Sequence, residues 1–121
     1  MRAPIAGAAA AAFLAGTATG LAADKLAPSE IQATFFNGQP FTSSTLSNIK
    51  FKMVFMPDGK MTREPFGKTG VKGDGTWKLS KDGFCTTWKG SKAGNCYVIT
   101  KAGDNKWNIV KGASTVGAWT R

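Results

Sequence analysis

Ile49-Lys50-Phe51-Lys52-Met53-Val54-Phe55-Met56-Pro57-Asp58-Gly59-Lys60-Met61-Thr62-Arg63 is the stretch whose reading decides the fold. Phe51, Met53 and Phe55 recur at every second position, with Lys50 and Lys52 between them. Successive side chains of a strand point to opposite faces, so this spacing describes one dry face and one wet face. Pro57-Asp58-Gly59-Lys60 then reads as a tight hairpin turn into a second strand at Met61-Thr62-Arg63.

The same grammar extends toward the C-terminus. Asp-Gly, Asn-Gly or Gly-Asn pairs recur at 37–38, 58–59, 74–75, 82–83 and 94–95, and Gly103-Asp104-Asn105 is a further turn signal. Between them, Gly75 to Ser80 sets Trp77 and Leu79 against Thr76 and Lys78. Phe84 to Lys89 lines up Phe84, Thr86 and Trp88, and Cys96 to Thr100 alternates beneath a β-branched run. Lys106 to Val110 pairs Trp107 with Ile109, and Thr115 to Arg121 puts Val116 and Ala118 opposite Trp119. Gln39 to Thr42 is a weak first strand. Ahead of these, Pro28 and Ser29 mark a helix start, with a short helix over Ile31 to Phe36 that Asn37-Gly38 stops. Pro65 to Gly73 has no apolar period and reads as a mobile loop. About eight short antiparallel strands predict an all-β fold, a small barrel or sandwich with one N-terminal helix. Its expected core is Phe51, Met53, Phe55, Trp77, Leu79, Trp88, Trp107 and Ile109.

The first 22 residues differ from the rest. Arg2 precedes an apolar run from Ala6 to Leu14, and Gly20-Leu21-Ala22 offers small residues for a cleavage site. This is the pattern of a cleavable secretory signal. Residues 23 to 121 are then one domain, exported to a periplasm as a soluble monomer with no transmembrane segment. A lipid anchor is not expected, because the first cysteine is Cys85. Cys85 and Cys96 are the only cysteines, and in an oxidising compartment such a pair is expected to be a disulfide. A two-residue turn at Gly90-Ser91 places them opposite each other but also sets Lys89 against Lys92. A wider Lys89–Gly94 loop keeps the cysteines opposed without that clash. Ten residues separate the pair, unlike the C-x-x-C of redox catalysts.

Lys and Arg number 16 against 7 Asp and Glu, a formal charge of +9, and histidine is absent. That removes His-based triads and His-containing metal centres. Asp58, Asp74, Asp82 and Asp104 lie beside turn glycines, where local backbone hydrogen bonding explains them and calcium-loop spacing is lacking. Glu64 reads as half of a surface ion pair. Gly67-Lys68-Thr69-Gly70 lacks the spacing and the strand-to-helix context of a phosphate loop. No cofactor, no metal and no enzymatic activity are expected. Phe51, Phe55, Trp77 and Trp88 would suit base stacking only if exposed, and alternation puts them opposite the lysines, so nucleic acid is not an expected partner.

The order of motifs, S-E-I-Q-A-T-F-F-N-G, then F-x-M-x-F-x-P-D-G, G-D-G-T-W-K-L-S-K-D-G-F-C-T-T-W, N-C-Y-V-I-T and G-A-W-T-R, resembles small exported alphaproteobacterial domains of unknown function. The resemblance spans residues 29 to 121, and Gly75-Thr76-Trp77, Cys85-Thr86-Thr87-Trp88 and Cys96-Tyr97 are its most specific parts. It implies a compact periplasmic β-barrel with one disulfide. Peptidoglycan-hydrolase inhibition is linked to some proteins of this kind.

The expected function is therefore non-catalytic binding: inhibition or regulation of a cell-wall hydrolase, with Lys68, Lys72, Lys89 and Lys92 contacting the acidic partner from loops and turns. Two alternatives remain at this level. One is a carrier holding a small apolar ligand in the barrel. The other is a basic envelope protein that binds anionic glycan or lipid through charge.

Overall fold

A computed structural model describes residues 25–121. The expected secretory signal lies outside the described residues. One helix, α1 (Pro28–Phe35), precedes eight strands: β1 (Phe41–Thr45), β2 (Lys50–Phe55), β3 (Lys60–Pro65), β4 (Gly73–Leu79), β5 (Phe84–Trp88), β6 (Asn95–Gly103), β7 (Lys106–Lys111) and β8 (Ser114–Thr120). Each strand pairs antiparallel with the next, and β1 pairs with β8, closing a barrel in simple up-and-down order. Of the two architectures the alternation allowed, closure selects the barrel, in which every strand has a neighbour on both sides.

The β2–β3 hairpin follows the sequence closely. Phe55 faces Met61 and Lys52 faces Glu64 across the ladder. The turn is closed by Met56 N–H to Lys60 O at 2.8 Å, and Gly59 takes φ +98°, where a side chain would be strained. Several boundaries shift: β3 runs on to Pro65 and β6 to Gly103, because their ladder partners continue that far. The helix begins at Pro28 rather than Ile31, because Pro is pre-set for the first helical turn and the Glu30 carboxylate accepts the Ala27 N–H at 3.0 Å. The first strand starts at Phe41 and runs on to Thr45, where Ser43 and Ser44 pair with both neighbours despite their weak strand preference. The fourth begins at Gly73, not Gly75, since Arg63 and Thr62 extend the ladder to Gly73 and Asp74.

Loops alternate between the barrel's two ends. Turns β2–β3, β4–β5 and β6–β7 lie at the end that α1 covers, and loops β1–β2, β3–β4, β5–β6 and β7–β8 lie at the other. Phe35 and Phe36, at the end of α1, fill the covered end. Phe35 sits edge-on to Phe41, Trp107 and Trp119, and Phe36 stacks on Phe55 with ring centroids 4.6 Å apart. Phe51, Met53, Phe55, Trp107 and Ile109 are buried with them, whereas Trp77, Leu79 and Trp88 are half-buried against that cluster. The disulfide joins Cys85 to Cys96 at directly opposed positions. The β5–β6 ladder ends at Thr86–Asn95, so the intervening loop is wide and Lys89 does not face Lys92.

Candidate functional site: the open end of the barrel

At the end away from α1 a cavity of about 150 Å³ enters the barrel. Phe51, Met53, Phe55, Phe84, Ile109 and Trp119 form its apolar walls, and Ser43, Thr45, Thr86 and Tyr97 add hydroxyl groups. Burial pushes the Tyr97 phenol above its ordinary value of 10.0, and a hydrogen bond with Thr86 opposes that.

Arg63 belongs to the same wall. Along β3 the inward row is Met61, Arg63 and Pro65, while Thr62 and Glu64 are exposed. The guanidinium carbon lies 4.4 Å from the Trp88 ring centroid and 5.1 Å from that of Phe51. Its Nε donates to Val71 O at 2.9 Å. Glu64 points the other way and pairs with Lys52 at 3.8 Å, the surface ion pair the sequence predicts for it.

The β3–β4 loop, residues 66–72, is tied down rather than hanging free. Phe66 N–H donates to Lys50 O, Val71 O receives Arg63, and Gly70 sits so close to Phe51 that an added Cβ would lie 2.9 Å from its ring. Gly70 also has φ +98°, so this contact depends on glycine twice over.

Lys68, Lys72, Lys89 and Lys92 are exposed, and all four lie at this open end, the first two on β3–β4 and the others on β5–β6. None of them makes an ion pair among the described residues. Lys50 and Lys111 add to the basic rim, against Glu64 and Asp74. The covered end is more balanced: Glu30, Asp58, Asp82 and Asp104 offset its cations, and Lys25 pairs with Asp82 at 3.5 Å.

Sequence reasoning missed the apolar half of this rim. Leu46, Phe66, Val71 and Val116 are exposed, and each lies on a loop or strand end at the open mouth. Apolar residues outside a periodic pattern carry no face in the sequence, so only closure of the barrel brings them together. Arg63 was legible: counting by two from Met61 places it inside. Of the four aromatics weighed for base stacking, Phe51 and Phe55 are buried in the barrel and Trp77 and Trp88 are half-buried.

Two chemical possibilities find no geometry. Ser47-Asn48-Ile49-Lys50 has S-x-x-K spacing. That spacing brings Ser and Lys onto one face in a helix. Here Ser47 lies in the β1–β2 loop, its hydroxyl 3.2 Å from that of Thr45, and Lys50 opens β2. Among the described residues no three of His, Cys, Asp or Glu gather as metal ligands, and no helix is long and apolar enough to cross a membrane.

Compared with protein-family models, with curated proteins and with solved structures, the chain matches none.

Proposed function

We propose that this is a non-catalytic binding protein of the bacterial periplasm that inhibits or regulates a cell-wall hydrolase through the open end of its barrel. The observation that carries the reading is the composition of that end. Lys68, Lys72, Lys89 and Lys92 stand around exposed Leu46, Phe66, Val71 and Val116, while the opposite end is filled by α1. A mixed apolar and basic rim suits a protein cleft lined with carboxylates, as glycan-cleaving enzymes have. The lysines steer the encounter, and the apolar residues supply the area that holds the complex.

The cavity favours the second reading, a carrier of a small apolar ligand. Its size limits that role: about 150 Å³ is the room an engineered protein cavity gives to benzene, and carrier pockets start near 300 Å³. The third reading, charge-driven binding of anionic glycan or lipid, leaves the apolar rim without a use.

Titration of the disulfide-intact protein into muramidases and lytic transglycosylases, at physiological salt, tests the proposal. Saturable inhibition at one-to-one stoichiometry is expected. Failure across the panel overturns it. A retained mass in native mass spectrometry would favour the carrier, and binding to anionic glycan that vanishes by moderate salt would favour charge alone.

A further inference from the structure

Arg63 is on the inward row of β3, half-buried, and lines the cavity. Its guanidinium carbon lies over two aromatic rings, Trp88 at 4.4 Å and Phe51 at 5.1 Å, and Nε donates to Val71 O at 2.9 Å. No carboxylate pairs with its side chain, and no other hydrogen bond to that side chain occurs among the described residues. The terminal nitrogens are the part of the guanidinium fork that grips a carboxylate two-handed. They are left unengaged at the wall of an apolar pocket of about 150 Å³.

We infer that the barrel mouth is a receptor site for a compact monocarboxylate: an acid whose apolar body, about the size of one benzene ring, enters the cavity and whose carboxylate pairs with Arg63. The pre-held guanidinium loses little freedom when the ligand arrives. The lysines at the same mouth raise the local concentration of anions without supplying the specificity. Long-chain acids are excluded by volume. Inorganic anions are disfavoured because they cannot use the apolar walls. This inference rests on the cavity and on Arg63, independently of any hydrolase.

The test is direct binding to the disulfide-intact protein, followed by heteronuclear NMR, with benzoate as the probe. Benzyl alcohol serves as its neutral counterpart and phosphate as its apolar-free one. Benzoate should saturate one site, shifting resonances of Phe51, Arg63 and Trp88, and should bind more tightly than either control. Arg63→Met, which keeps the bulk and removes the charge, should weaken benzoate by about tenfold or more, the worth of a charged hydrogen-bonded pair. Benzyl alcohol binding should fall by less than benzoate binding in that variant. Ser43→Leu keeps Arg63 and fills the inward position beside Phe51, so it should abolish binding of both benzoate and benzyl alcohol. Equal affinity of the wild type for benzoate and benzyl alcohol would overturn the inference, and that comparison needs no variant. So would shifts confined to the lysine loops, or no saturation by benzoate in the millimolar range.

Discussion

The two ends of this barrel are built from different materials. At the covered end Phe35 and Phe36 reach in from α1 and meet Phe41, Phe55, Trp77, Phe84, Trp107 and Trp119 in edge and stacked contacts, with centroids 4.4 to 6.3 Å apart. At the open end the apolar residues Leu46, Phe66, Val71 and Val116 face solvent among exposed lysines, above a cavity. A closed β-barrel gives both ends the same backbone support. The difference therefore lies in what the chain supplies to each: a helix that seals one, and loops that leave the other unsealed. Packed aromatic contacts fill the first end, and exposed apolar and basic side chains ring the second.

The largest effect that can break this comparison is the loss of the plug. Phe36 is about 1% exposed and touches four aromatic rings. Phe36→Ala should cost about 3–5 kcal/mol, a large part of the 5–15 kcal/mol that holds a typical domain folded. Urea unfolding of the variant measures it. A loss under 1 kcal/mol would mean that α1 does not seal the barrel and that the two ends are not distinct in energy.

Reduction of the disulfide should come next in size. Cys85 and Cys96 close a loop of 11 residues, which the chain-entropy model values at about 3 kcal/mol. The bond has added weight because the β5–β6 ladder spans only Phe84–Tyr97 to Thr86–Asn95. Thermal unfolding with and without a phosphine reductant checks this. An unchanged midpoint would show that the short ladder holds the seam unaided.

Charge reversal at the open end should separate stability from binding. Each of Lys68→Glu, Lys72→Glu, Lys89→Glu and Lys92→Glu should change stability by no more than about 0.5 kcal/mol, the usual range for exposed sites. The four together should weaken hydrolase inhibition and flatten its salt dependence. An inhibition constant that the four leave unchanged would remove these lysines from the interface. Marked unfolding would show that the open end does carry stability.

How much of this was legible beforehand follows from the same contrast. The barrel wall could be read because its residues obey periods: Phe51, Met53 and Phe55 alternate, and Trp107 and Ile109 do likewise. Local chemistry marked the hairpin turns, and opposed positions marked the disulfide. The open end is written in loops. Lys68 and Lys72 could be placed near Lys89 and Lys92 only once strand order fixed which loops share an end. Phe66, Val71 and Leu46 lie outside any period, so nothing local joins them. The cavity is a difference between barrel volume and side-chain volume, a quantity that belongs to the closed sheet and to no segment of it.

Tyr97 sits where the two ends meet, and its titration gives the finest test of that boundary. Its ring lies 5.4 Å from Phe84 of the aromatic cluster, yet it also lines the cavity. Burial disfavours the phenolate, so the folded-state pKa stands above 10.0, and the hydrogen bond with Thr86 only partly offsets this. An acid with a raised folded pKa holds its proton more tightly in the folded state than in the unfolded one. Its contribution to stability is therefore complete below pH 10 and is lost as pH rises through that value toward the folded pKa. The quantity to measure is the difference between wild type and Tyr97→Phe in thermal midpoint from pH 9 to 12, which isolates this one group. The wild type should fall faster above pH 10. Parallel curves would mean that Tyr97 feels the same water folded and unfolded, and that the cavity is open down to the aromatic cluster.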